Sequence, residues 1–215
     1  MRSIGPRPNV PGALVAAALV LVTLARATDA ADPWVCLEEI RSTAAERPLR
    51  ADFTQDFVPA GFTGGERESG TFSLDLPRCL RWDYRNPYPR SFLLCDEIVY
   101  SWNIGESSGR RNLLASGDEP GLDLLRLEVE SLRRRYSATD VATEVGEREI
   151  RLQARDEKGT IREARLRSDR ECRHLLELRY LDLERNLSVF QFSGYRNLTE
   201  EDAFRPPTDL QWIDD

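Results

Sequence analysis

The chain has 215 residues with 30 basic and 37 acidic side chains, a net charge of −7 at pH 7, one histidine and four cysteines. So acidic a chain, with no polybasic run or basic amphipathic helix, has no footprint for nucleic acid or for an anionic membrane surface. A single histidine and no CxxC spacing leave no multi-histidine or thiolate metal site, so no metal and no cofactor are expected.

Residues 1–30 carry Arg2 and Arg7 ahead of the apolar run ALVAAALVLVTLA and then small residues at Ala25, Ala27, Ala30 and Ala31. This is the pattern of a cleaved signal peptide, and the run is short of the roughly 20 residues a membrane span needs. An exported protein in the periplasm is the expectation. Removal of residues 1–30 leaves 27 basic against 36 acidic side chains, a net −9. Residues 31–215 suit a single domain, because no repeat, low-complexity block or linker divides them. Export also permits disulfides among Cys36, Cys79, Cys95 and Cys172.

Asp32-Pro33 opens a predicted helix through about Glu46, with Trp34, Leu37, Ile40 and Ala44 on one face. Ala51, Phe53, Gln55 and Phe57 then alternate with polar residues as a strand, and the GFTGG turn leads to the next. From Gly70 to Ile104 the period is two throughout. Phe72, Leu74 and Leu76 alternate with Ser73 and Asp75, and Leu80, Trp82 and Tyr84 alternate with Cys79, Arg81 and Asp83, as half-buried antiparallel strands do. Asn86-Pro87-Tyr88-Pro89 turns the chain back. The register that sets apolar against apolar pairs Leu80 with Leu94, Trp82 with Phe92, Arg81 with Leu93 and Cys79 with Cys95. It permits a Cys79–Cys95 disulfide and leaves Cys36 and Cys172 to pair or to stay free.

Ile98, Tyr100, Trp102 and Ile104 form a further alternating set. Over Asp118 to Arg135, Leu122, Leu125, Val129 and Leu132 recur at helical spacing, with acidic residues early and arginines late, which predicts a helix or a broken helical lid. Strands resume at about Tyr136–Val145, Ile150–Asp156, Thr160–Ser168, Cys172–Leu183 and Asn186–Tyr195, with meander-length turns. The fold class is therefore mainly β. About 10 or 11 antiparallel strands, oily on one face, must curl into a half-open barrel covered by short helices, because a flat sheet would leave that face in water.

Catalytic signatures are missing from the sequence: there is no GxSxG, HExxH or glycine-rich phosphate loop. Pairs such as Asp96-Glu97 read as solvated turns, and no enzyme is expected. The oily face is the functional candidate. Leu74, Leu80, Trp82, Phe92, Leu94, Tyr100, Phe190 and Phe192 are predicted to line an apolar, lipid-binding cavity.

The order FTQ at Phe53–Gln55, SGTFSLDLPRCLRWDY at Ser69–Tyr84, the NPYP turn, CDEIVYSW at Cys95–Trp102 and the tail DLERNLSVFQFSGYRNLTEEDAFRPP at Asp182–Pro207 resembles the periplasmic lipoprotein carrier family LolA. The resemblance implies a monomeric, non-catalytic carrier that holds the acyl chains of lipoproteins in its cavity between membranes. It also implies an inner-membrane LolCDE-type transporter as donor and an outer-membrane LolB-type acceptor. A same-fold envelope module that binds another lipid, or senses envelope stress through protein contacts, is the alternative. The chain departs from the family at Leu76, which stands where an arginine commonly tethers the lid, at Leu80 for a larger aromatic, at Asp96-Glu97 for Asp-Gly, and in its cysteines.

Overall fold

The computed structural model describes residues 32–114, 121–141, 143, 146–156, 159–199 and 203–214; the predicted signal peptide, residues 1–30, lies outside them. The chain begins with α1 (Pro33–Glu46). A meander follows: β1 (Leu49–Val58), β2 (Glu66–Asp75), β3 (Cys79–Asn86), β4 (Arg90–Cys95), β5 (Ile98–Asn103) and β6 (Ser108–Leu113). Two short helices, α2 (Leu122–Arg126) and α3 (Val129–Arg135), lead to a second meander of β7 (Tyr136–Val141), β8 (Glu147–Ala154), β9 (Ile161–Asp169), β10 (Leu175–Asp182) and β11 (Leu187–Asn197). The chain closes with β12 (Gln211–Asp214).

All twelve strands belong to one sheet in the order β12-β6-β5-β4-β3-β2-β1-β11-β10-β9-β8-β7. Every pairing is antiparallel except the parallel pairing of β12 on β6. The two meanders meet where β11 returns to β1, so one face runs unbroken from β6 to β7. Its side chains are joined across the sheet by ring contacts: Phe72 with Phe192 at 5.3 Å, and Phe53 with Tyr84 at 5.1 Å. These join strands that are not neighbours, which requires the sheet to curl around its oily face. The mainly β, half-open curved sheet expected from the sequence is thus the fold, with twelve strands rather than ten or eleven. The two extra strands, β6 and β12, carry no apolar alternation (SGRRNL and QWID) that could announce them.

The hairpin of β3 and β4 has the register deduced from its apolar pairs, Leu80 with Leu94, Trp82 with Phe92 and Cys79 with Cys95. Cys79 and Cys95 are bonded, and a second disulfide joins Cys36 of α1 to Cys172 in the turn before β10. The loops they close, 16 and 136 residues, are worth about 3 and 5 kcal/mol respectively in the chain-entropy picture. The longer one anchors α1 across the concave face.

The helices cover that face for identifiable reasons. Asp32 caps α1 by accepting from the Trp34 amide at 3.0 Å, and Trp34, Leu37 and Ala44 bury the stripe expected of them. The predicted segment 118–135 is broken in two at Leu127-Glu128, and its first residues, 118–120, lie outside the described set. Arg133 of α3 ties back to α1, 3.1 Å from Asp32 and 5.3 Å over the Trp34 ring.

Candidate functional site

The concave face has two ends of different character. At one end α1 packs on β2 and β7 and α3 on β7, leaving only a 40 Å³ gap among Leu37, Leu49, Leu74, Leu132, Leu175 and Tyr195. Here Tyr195 donates to the Leu175 carbonyl at 2.7 Å, and burial pushes its phenol pKa well above the usual value. At the other end a cavity of 230 Å³ opens, walled by Trp82, Tyr84, Phe92, Leu94, Val99, Leu178, Tyr180, Phe190 and Phe192. Phe92 and Leu178 stand on β4 and β10, five places apart in the sheet; a flat sheet would separate them by about 24 Å at ordinary strand spacing. Curvature makes this cavity.

The expected lining residues divide accordingly. Trp82, Phe92, Leu94, Phe190 and Phe192 are on the cavity wall. Leu74 lines the small gap under α1 instead, and Leu80, opposite Leu74 and 1% exposed, is part of the packed core at that end. Tyr100 is a correction. The two-residue turn at Asp96 and Glu97, both at positive φ, pairs Cys95 with Ile98 and hence Leu94 with Val99. Val99 therefore faces the cavity, and Ile98, Tyr100 and Trp102 share the opposite face with Leu93.

That outer face is apolar because the C-terminal segment covers it. Trp212 of β12 lies 5.1 Å from Tyr100 and 5.9 Å from Trp102, edge to face. Its ring sits where a side chain on Gly109 would be, since a Cβ there would meet it at 2.6 Å. Arg81 donates to the Ala203 carbonyl at 2.9 Å and stacks on Trp102, which buries Leu93 completely.

The cavity's cover is α2. Leu125 lines both the large cavity and the small gap, so α2 is the partition between them. Gly121, at φ +93°, lines the cavity just before α2; a Cβ there would meet the Tyr180 ring at 2.7 Å. What holds α2 down is Arg41 of α1, whose guanidinium donates to the carbonyls of Leu125 at 2.7 Å and Arg126 at 2.9 Å. Those are carbonyls at the end of α2, which a helix leaves without intrahelical partners. Burial pulls the guanidinium pKa down, with Glu128 opposing. Leu76 is buried under the helices and makes no such bond, so the tether comes from a different element than the strand-end arginine common in the resembling family. Sequence reading missed Arg41; its one signal was an arginine directly beside the apolar stripe of α1.

Polar groups meet the cavity only at its outer end. Tyr84 donates to Gln55 at 2.6 Å, and Arg90 forms a two-pronged pair with Glu68 at 2.5 and 2.8 Å. No group of three or more potential metal ligands occurs among the described residues. No helix among them is long and apolar enough to cross a membrane.

Comparison with known proteins gives the family. The model of the outer membrane lipoprotein carrier protein LolA matches residues 46–206. An outer-membrane lipoprotein carrier protein from Methylococcus capsulatus is 30% identical over 118 residues, 54% of this chain and 56% of that protein, so the chain spans little more than half the length of this curated relative. Among solved structures, an uncharacterized conserved protein from Thermus thermophilus superposes with a TM-score of 0.54 at 10% identity, covering 84% of this chain and 98% of that one. MucB in the Pseudomonas aeruginosa MucA/MucB complex gives 0.50 at 13% identity, covering 84% of this chain and 62% of that one; both likenesses concern the fold. The family model spans most of the strands and the cover of the cavity, and the chain belongs to the outer membrane lipoprotein carrier family, LolA.

Proposed function

We propose that the chain is a periplasmic carrier that shields the acyl chains of lipoproteins in the 230 Å³ cavity while they pass from the inner to the outer membrane. The observation that carries the proposal is the cavity wall itself: six aromatic side chains from β3, β4, β10 and β11 line a space that α2 covers and the core does not fill. Ordinary interiors leave few voids larger than a water molecule. Exposing an acyl chain to water costs about 0.8 kcal/mol per CH₂, so lipoproteins need such a host to cross an aqueous compartment. The resting cavity is smaller than the roughly 300–1,000 Å³ usual for ligand sites. Cargo entry therefore requires α2 to lift away and join the cavity to the gap under α1.

Family membership extends the reading to a monomer that takes cargo from a LolCDE-type transporter and delivers it to a LolB-type acceptor, with no reaction catalysed. The alternative, a same-fold envelope module that binds another lipid or senses envelope stress through protein contacts, has behind it only the fold likeness to MucB, solved in complex with MucA. The test is expression of the full chain in a lipoprotein-exporting bacterium, followed by mass spectrometry of what copurifies. Acylated lipoprotein should copurify with the wild type and be lost with Phe92→Glu. Its absence from both, with the protein folded, would contradict the carrier reading.

A further inference from the structure

The concave face changes chemistry along the strands. From the packed end outward, β1 presents Leu49, Ala51, Phe53 and Gln55, and the opposed residues of β2 are Leu74, Phe72, Gly70 and Glu68, with Glu66 one pair further on. On β3 the same march runs Leu80, Trp82, Tyr84, with Arg90 opposite Tyr84. A polar band of Gln55, Tyr84 and Arg90 thus faces the cavity at its outer end, with Phe57 opposite Glu66 beyond it on β1.

Within that band the guanidinium of Arg90 is already engaged. It reaches across β3 to Glu68, one prong of the fork on each carboxylate oxygen, and lies over the Tyr84 ring, 4.2 Å from its centre. The two side chains are 27% and 13% exposed. Glu68 holds the arginine firmly protonated, with help from Glu66. The adjoining depression that Arg90 shares with Arg110 also contains Glu106. Glu66, Glu68 and Glu106 thus stand around Arg90.

We infer that the Arg90–Glu68 pair makes the cavity mouth selective for acyl chains on an uncharged linkage, such as an ester or amide, and rejects chains carrying an anionic headgroup such as a phosphodiester. A phosphate is a natural partner for a guanidinium fork, but here the Nη1/Nη2 edge of the fork is held by Glu68, so a phosphate either displaces that carboxylate or sits beside it and is repelled. The displaced carboxylate is then left half-buried without its cation, beside Glu66, and breaking such a pair is strongly unfavourable. A neutral carbonyl needs no displacement and repels neither carboxylate. Selectivity by an unpaired or repelled charge against the wrong ligand is a common route to discrimination. It suits a carrier that works between membranes in which phospholipids are the competing source of acyl chains.

The inference rests on the carrier reading, and the test separates the two. Titration calorimetry would compare dioctanoylglycerol, which is neutral, with dioctanoylphosphatidylglycerol, which carries the same chains on an anionic head, both below their micellar concentrations. The wild type should favour the neutral probe at least tenfold, and Glu68→Gln, which frees the Arg90 fork, should shift the ratio toward the anionic probe at least tenfold. Equal binding of both probes by the wild type overturns the selectivity and leaves the carrier reading standing. Binding of neither overturns both. If Glu68→Gln fails to fold, the double variant Glu68→Gln/Arg90→Gln removes the pair together. A collapsed preference in that variant supports the inference, and a wild-type preference retained in either folded variant overturns it.

Discussion

The two ends of the concave face are made from the same alternating strands and the same residue types, yet one is filled and the other is not. At the packed end α1 is held by a disulfide from Cys36 to Cys172, by the Asp32 cap and by Arg133, and what remains is a 40 Å³ gap. At the open end the cover, among the described residues, is α2, five residues long and held at its end by Arg41, and 230 Å³ is left. Whether an oily sheet face becomes core or receptor is decided by what is fastened over it. Short helices with few fastenings supply the low-stability elements from which lids are drawn.

A buried charge breaks the comparison most severely. Leu80→Glu puts a carboxylate where nothing can pair with it and should cost more than about 4 kcal/mol, enough to leave little folded protein. Phe92→Glu, on the cavity wall, should cost less than about 2 kcal/mol and abolish binding of an acylated peptide. Thermal melts beside binding titrations check both, and a folded Leu80→Glu protein would erase the distinction between the ends. Next in size are the disulfides. The double variant Cys36→Ala/Cys172→Ala should lose about 5 kcal/mol and Cys79→Ala/Cys95→Ala about 3, measured by urea unfolding. The reverse order would mean that α1 is not the fastening the structure makes it.

Arg41→Met keeps the apolar stem and removes both bonds to the end of α2. Global stability should fall by only about 1–2 kcal/mol, while amide exchange at Leu124–Arg126 should quicken at least tenfold relative to Leu80–Tyr84. Uniform quickening would assign Arg41 to the core and not to the cover. The smallest effect concerns Tyr195 at the packed end. Its folded pKa is raised by burial, so the stability it contributes is full below the unfolded phenol value of about 10 and is lost as pH rises above that. Tyr195→Phe should cost about 1 kcal/mol at pH 7 and flatten the fall in melting temperature above pH 10; an unchanged alkaline fall would remove Tyr195 as its source.

Much of this was legible in the residues. The β3–β4 register followed from Leu80, Trp82, Phe92 and Leu94 alone, because a period of two leaves one pairing that sets apolar against apolar. Alternation separates two faces but does not say which is inside, and that is why Tyr100 was placed with the cavity. The deciding contact comes from Trp212, more than a hundred residues later. Glu68, Arg90 and Arg41 were illegible for a related reason: in a chain with 67 charged residues, nothing local marks the few that are turned inward and paired.

The central claim is that acyl chains occupy the concave face at its open end. Photo-crosslinking tests it directly, with benzoylphenylalanine in place of Phe92 on the inner face of β4 and, separately, in place of Tyr100 on the outer face of β5. Each variant would be expressed with a lipoprotein carrying radiolabelled acyl chains. The account predicts a labelled adduct from position 92 and none from position 100. Label at position 100 alone, or at neither position in folded protein that retains its cargo, would contradict it.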